Sequence, residues 1–163
     1  MELFLEIMEV FMKLLQYSLF MSLFYVLAGN ALTILPPFIN NNQYVITIID
    51  NENTPNQRTV GSLCYYPVTA EKYKIDWLWI DKSHRQSKLG STLLSICFAH
   101  LQMLSCKKIV LYAMPLDNNI TLDKLINFYC QIFLKLAPNA KITVEAENNC
   151  YELIADAKIS ISL

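Results

Sequence analysis

The chain has 163 residues, the length of one ordinary domain and enough to bury a core without a disulfide or metal staple. Hydrophobic residues make up 54% and charged residues 17%, which excludes a disordered chain and turns some apolar surface toward a partner or a membrane. The net charge of -1 supplies no global field for nucleic acid, so no DNA partner is expected.

Residues 1–30 are expected to form an apolar N-terminal helical segment. Glu2, Glu6, Glu9, Lys13 and Gln16 lie three or four apart, one polar stripe on an otherwise apolar helix, and Gly29-Asn30 read as its end. A signal peptide is disfavoured, because Glu2, Glu6 and Glu9 precede any Lys or Arg. A membrane span needs about 20 apolar residues. The uncharged run from Leu14 to Leu35 is long enough, but Gln16, Gly29, Asn30 and Thr33 dilute it. The reading that fits best is one or two helices packed on a sheet, extended by a subunit interface such as a homodimer's. Membrane association through residues 1–28 is the alternative to a cytoplasmic protein.

Pro36-Pro37 and Asn40-Asn41-Asn42 read as a loop. Gln43–Asp50, Arg58–Tyr66 and Tyr73–Ile80 are rich in β-branched and aromatic residues and are separated by turn clusters, so residues 43–80 form an antiparallel meander. From Lys88 to Ser105 the apolar period becomes helical. Lys107–Met114 is a strand, Thr121–Leu136 a helix with Thr121 as N-cap, Lys141–Ala146 a strand, and Cys150–Leu163 at least one more. The order is α, then β-β-β-α-β-α-β-β: one α/β domain over residues 1–163 with a mixed sheet.

Cysteines stand at 64, 97, 106, 130 and 150, with no CxxC pair and none near His84 or His100. They read as small reduced hydrophobes in a reducing compartment, and no metal site is expected.

The chemistry concentrates in Ile80–Leu94, IDKSHRQSKLGSTLL: a strand end, a polar turn and a helix start. One of the two arginines, Arg85, falls there, and Gly90 opens the helix. The first helical N–H groups lack intrahelical partners and carry the positive end of the dipole, so this place suits an anion, with Arg85 and Lys88 adding charge. A solvated basic loop is the competing reading. GxxxxGK[ST] and GxGxxG are both absent.

Arg85-Gln86-Ser87-Lys88-Leu89-Gly90 resembles the R/Q-x-x-G-x-G/A acetyl-CoA motif of the GNAT superfamily of N-acetyltransferases. An aliphatic strand end, Ile80, precedes it and Leu93-Leu94 follow inside the helix. Phe128-Tyr129 in the later helix is similar to the aromatic-Tyr pair of the family's second motif. Lys88 stands where the middle glycine usually is, Ile132-Phe133 where Gly-Phe usually is, and Leu122 where an asparagine is often found. The resemblance covers about residues 43–155 and leaves the first 30 unexplained.

The resemblance implies a mixed, mostly antiparallel sheet whose central parallel strands, 73–80 and 108–114, splay apart beside flanking helices. It implies acetyl-CoA as co-substrate, with backbone amides of Gln86, Ser87, Lys88, Leu89, Gly90 and Ser91 holding the pyrophosphate and Gly90 allowing close approach. Ser91 and Thr92 hydroxyls would add hydrogen bonds. The pantetheine arm would pair with main-chain groups of Leu78, Trp79 and Ile80. Acetyl would pass to a primary amine of a small molecule, an aminoacyl-tRNA or a protein. Tyr129 would protonate the leaving thiolate. Asp76, buried on the face of Leu78 and Ile80, would serve as base, with an ordinary strand Asp paired to Lys72 or Lys74 as the competing reading. His84 is an alternative base but reads as a solvated loop residue beside Arg85, and His100 as a satisfied, partly buried side chain. Trp77 and Trp79 are expected to pack the helix-facing side of the sheet, or else to wall the acceptor cleft. The other reading is a GNAT-fold binding or structural protein without catalysis, acting through its N-terminal helix.

Overall fold

The computed structural model describes residues 32–51, 57–114, 120–147 and 150–156. Its strands are β1 (Leu32–Asn40), β2 (Gln43–Asp50), β3 (Arg58–Pro67), β4 (Lys72–Ile80), β5 (Lys108–Ala113), β6 (Lys141–Glu147) and β7 (Cys150–Asp156). Among the described residues the helices are α1 (Leu89–Met103) and α2 (Leu122–Leu136), and a 3₁₀ turn spans Lys82–His84. The strands form one sheet in the order β1-β2-β3-β4-β5-β7-β6, antiparallel everywhere except between β4 and β5. The expected mixed, mostly antiparallel sheet is therefore present.

The meander is one strand longer than the sequence suggested. Pro36-Pro37 lies inside β1 rather than in a loop, at a register shift between Leu35 and Phe38. An edge strand tolerates proline because its outward N–H groups need no partner. Asn41 and Asn42, at φ 49° and 63°, make the two-residue turn into β2. Asparagine is among the few residues that take this left-handed conformation readily. The helical reading of residues 1–30 lies outside the described residues. No helix among the described residues is long and apolar enough to cross a membrane.

Both helices pack on one face of the sheet. Leu93, Leu94 and Leu101 of α1 are fully buried, and Phe98 meets Phe133 of α2 at 5.0 Å between ring centroids. They cover Ile46, Ile48, Leu63, Tyr65, Ile75, Ile109 and Leu111. Each such apolar side chain contributes about 1.5–3 kcal/mol on leaving water, far more than intrinsic helix propensity supplies.

Two features of β4 prepare the site. Its parallel pairing with β5 runs only from Lys72↔Lys108 to Ile75↔Leu111, so among the described residues Asp76–Ile80 have no strand partner on that side. The expected splay is thus present. On the other side, Cys64 pairs with Trp77 and Tyr65 with Ile75, leaving Asp76 as the extra residue of a β-bulge. A bulge reverses the alternation beyond it. Tyr73 and Ile75 are buried, but past the bulge Leu78 and Ile80 pack toward the core while Trp77 and Trp79 are 42% and 40% exposed. The core role expected for the two tryptophans is therefore corrected, as is the facing of Asp76. Simple alternation puts Asp76 with Leu78 and Ile80, whereas it is exposed.

Candidate functional site

Asp81 ends β4 and starts the turn. Its N–H donates to Val60 C=O at 2.8 Å, and its carboxylate accepts from Ser83 N–H at 2.9 Å, from the Ser83 hydroxyl and from Arg58 Nη2 at 2.5 Å. The two Ser83 bonds, helped by the Arg58 charge, hold the Asp81 carboxyl down at about 2. His84 is not the solvated loop residue expected. Its Nδ1 lies 2.9 Å from Ser83 Oγ and 3.8 Å from Asp81 Oδ1, and its Nε2 lies 4.0 Å from Oδ2 of the buried Asp50. Arg85 Nε donates to Ile80 C=O at 3.3 Å, and the Ser87 hydroxyl donates to His84 C=O. The turn is closed upon itself and tied to the ends of β2, β3 and β4.

What this frame fixes is the backbone entering α1. Gln86 and Lys88 both adopt left-handed conformations, with φ 66° and 65°. Left-handed residues among successive peptide units aim neighbouring N–H groups at one point, the geometry of an anion nest. Lys88 is the N-cap of α1 and supplies no side-chain cap. The first backbone bond of the helix runs from Thr92 N–H to Lys88 C=O at 3.0 Å, so the N–H groups of Leu89, Gly90 and Ser91 lie ahead of it. The contrast with α2 is instructive. There the Thr121 hydroxyl caps the helix by accepting from Lys124 N–H at 3.4 Å. The Ser91 and Thr92 hydroxyls donate to Lys88 C=O at 2.9 and 3.1 Å, so their hydrogens are engaged inside the helix instead of pointing to a ligand.

Gly90 lies in the first turn of α1. Its φ is not left-handed, and a Cβ there would meet Phe128 Cζ at 3.5 Å, Ile80 Cγ1 at 3.9 Å and Leu78 Cδ2 at 3.9 Å. These are ordinary contact distances, so the packing of α1 on α2 and β4 leaves room for a Cβ at this position. The same contact brings the Phe128-Tyr129 pair to the first turn of α1. Tyr129 is 7% exposed, its ring 5.3 Å from Phe128 and 6.4 Å from Phe133 between centroids. Burial pushes its hydroxyl up to about 12.

On the opposite face of β4, Asp76 is exposed and makes no ion pair with Lys72 or Lys74. The burial that a base role called for is absent, because the bulge turns the residue away from the helices. Burial, and then the Asp76 charge, push the Cys64 thiol up, which places the carboxylate near Cys64 of β3. His100 is the satisfied side chain expected. Its Nδ1 lies 2.6 Å from the Tyr65 hydroxyl, and burial holds it below the usual histidine range. Cys64, Cys97, Cys106 and Cys130 are unpaired, three of them buried. A cavity of about 510 Å³ lined by Ile39, Gln43, Tyr44 and Tyr66 lies by the β1–β2 turn, away from the phosphate-type turn, and gathers no acid–base pair.

The sequence profile described as the acetyltransferase (GNAT) family matches residues 11–129, well over half of the chain. The chain belongs to the GNAT acetyltransferase family. The match begins at residue 11, so it takes in most of the N-terminal segment that the motif comparison left unexplained, and it ends at Tyr129. No curated protein sequence matches the chain. Among solved structures the fold is similar to the PaiA N-acetyltransferase of Thermoplasma acidophilum in complex with coenzyme A, at TM-score 0.52 and 11% identity over 71% of this chain and 61% of that one. It is similar to a GNAT family acetyltransferase of Elizabethkingia anophelis with acetyl-CoA bound, at TM-score 0.50 and 12% identity over 78% and 99%. An acetyltransferase of Thermus thermophilus matches at TM-score 0.51 and 13% identity over 71% and 65%. These likenesses establish the fold of this GNAT member.

Sequence reasoning missed the brace of Asp50, Arg58, Asp81 and His84. Asp81 and His84 are three residues apart, but Asp50 and Arg58 lie far from them in sequence, and only Asp50, a charge closing an apolar strand, gave a signal. It also missed the left-handed backbone at Gln86 and Lys88, although the usual glycine at the second position points to it.

Proposed function

We propose that this GNAT member transfers acetyl from acetyl-CoA to a primary amine. The observation that carries the reading is the adjacency of an open β4 edge, Asp76–Ile80, to an uncapped α1 N-terminus entered through two left-handed residues. The amides of Gln86 to Ser91, with Arg85 and Lys88, would receive the pyrophosphate. Main-chain groups of Leu78, Trp79 and Ile80 that face the open edge would pair with the pantetheine amides as an added strand would. Relatives of similar fold bind coenzyme A and acetyl-CoA, which supports the co-substrate.

The chemistry follows from that seating. A lysine-like amine has a reference pKa of about 10.4 and must lose a proton before it attacks. That proton would leave through water at the open edge, where the exposed Asp76 carboxylate favours a cationic acceptor. The amine nitrogen then bonds to the thioester carbonyl carbon, and a main-chain N–H of the Leu78–Ile80 segment would donate to the oxyanion. The C–S bond breaks, and the Tyr129 hydroxyl would protonate the departing sulfur. Burial keeps that hydroxyl protonated, as a donor must be. Calorimetric titration with acetyl-CoA, followed by thiol release over an amine panel, tests the reading. Saturable binding with amine-dependent release is expected. Absence of binding overturns it, and binding without release on any amine leaves the non-catalytic reading.

A further inference from the structure

We propose that the face of β4 turned away from the helices selects the acceptor, an aliphatic amine with a second cationic centre held between Asp76 and the indoles of Trp77 and Trp79. The inference deepens the acyl-transfer reading and rests on it. The bulge creates the arrangement. It sets Asp76 and Trp77 side by side on the outer face, with Trp79 two residues further along the same strand. Both indoles are exposed and the carboxylate has no ion-pair partner among the described residues. All three border the splayed edge, where the thioester would lie.

An exposed carboxylate beside two indole faces favours a cation over a neutral or anionic group, and indole is the strongest ring for cation–π contact. The same face already shows this chemistry in use. Lys74, two residues before Asp76, places Nζ 4.4 Å from the Tyr112 ring centroid and 5.9 Å from that of Tyr66. Its ammonium is therefore engaged on tyrosines instead of on Asp76. Lys72 and Lys108 share this face at the start of the β4–β5 pairing, four residues from Asp76 along β4, and nearer to it lie the Cys64 thiol and the Tyr66 and Tyr112 phenols, which carry no positive charge. The retained ammonium and the reacting nitrogen must be different atoms, because the nucleophile has to be unprotonated. A diamine meets that requirement, whereas a single alkylamine does not.

The test uses the two tryptophans of the chain as reporters, since both lie at this subsite. The full-length protein is titrated with cadaverine (1,5-diaminopentane) and with pentane-1,5-diol while tryptophan fluorescence is followed. A saturable change with cadaverine and none with the diol is expected. Asp76→Asn should weaken cadaverine about tenfold and Trp77→Leu about fivefold, with Trp79 still reporting. In transfer assays cadaverine should exceed n-pentylamine and Nα-acetyl-lysine methylamide by at least tenfold in kcat/KM, a preference that Asp76→Asn and Trp77→Leu abolish. The lysine derivative separates a diamine from a lysine side chain. Fluorescence unmoved by cadaverine, equal binding of the diol, or variants that bind cadaverine like wild type overturn the inference. Acetyl-CoA binding without a cadaverine response removes the cation subsite and spares acyl transfer. An Asp76-dependent cadaverine response without acetyl-CoA binding does the reverse.

Discussion

Lys88 combines two effects of opposite sign, and substitution separates them. Its φ of 65° and ψ of 6° put a residue with a Cβ in the left-handed region, which costs about 1–2 kcal/mol. Lys88→Gly removes that cost, and glycine is an acceptable N-cap, but its greater unfolded freedom returns part of the gain. The net expectation is about 0.5–1 kcal/mol of added stability. For a chain of this size that is a Tm rise of about 1–4 °C. The same change removes an ammonium from the mouth of the anion site. An exposed contact of this kind is worth up to about 1 kcal/mol, so acetyl-CoA should bind about fivefold more weakly at low salt. The deficit should shrink as salt screens the charge. Lys88→Ala keeps the Cβ and loses the charge, so it should lose affinity without gaining stability. Calorimetry of binding at two ionic strengths and thermal melts of the three proteins give the comparison. If Lys88→Gly melts no higher than Lys88→Ala, the left-handed backbone stores no cost at this position. If both bind acetyl-CoA like wild type at low salt, the side chain does not face the pyrophosphate.

Gly90→Ala should bind acetyl-CoA within twofold of wild type, because its Cβ meets neighbours at ordinary contact distance, 3.5–3.9 Å. A large loss of affinity on calorimetric titration would mean that the ligand, not Phe128, needs the space. Arg85→Ala should weaken acetyl-CoA by about 1.5–3 kcal/mol if its guanidinium makes a charge-assisted bond to phosphate. A loss of stability should accompany it, since Nε also ties the turn to Ile80 C=O. Tyr129→Phe should lower kcat by about 10² with little change in acetyl-CoA affinity, and an unchanged kcat removes Tyr129 from the mechanism. The pH dependence carries a definite sign. A tyrosine raised from 10 to about 12 by burial contributes stability that is complete below pH 10 and is lost as pH rises toward 12. Melts of wild type should therefore fall over that interval, and those of Tyr129→Phe should fall less.

Local pattern carried much of this protein in its sequence. Alternation in QYVITIID and RTVGSLCYY, the helical period from Leu89, the Thr121 cap and the basic turn at Arg85–Gly90 all depend on neighbours in the chain. These determined the elements, their order and the place of the turn proposed to hold the anion. Tertiary structure decided the rest. Whether Pro36-Pro37 is loop or strand depended on whether β1 lies at an edge, which no local rule states. Which face Asp76, Trp77 and Trp79 occupy turned on a single unpaired residue opposite Cys64 and Tyr65. Period-2 reasoning fails there because a bulge is a property of two strands together. Gly90 was legible as a glycine at the start of a helix, but its neighbour Phe128 is one that only the packing of α2 on α1 brings there. His84 has a local partner in Asp81, three residues before it, but gained Asp50 only when the ends of β2 and β4 came together. Composition and spacing specify which groups a chain owns and how each segment is shaped, whereas contacts between distant segments set which groups meet, and reactivity depends on that meeting.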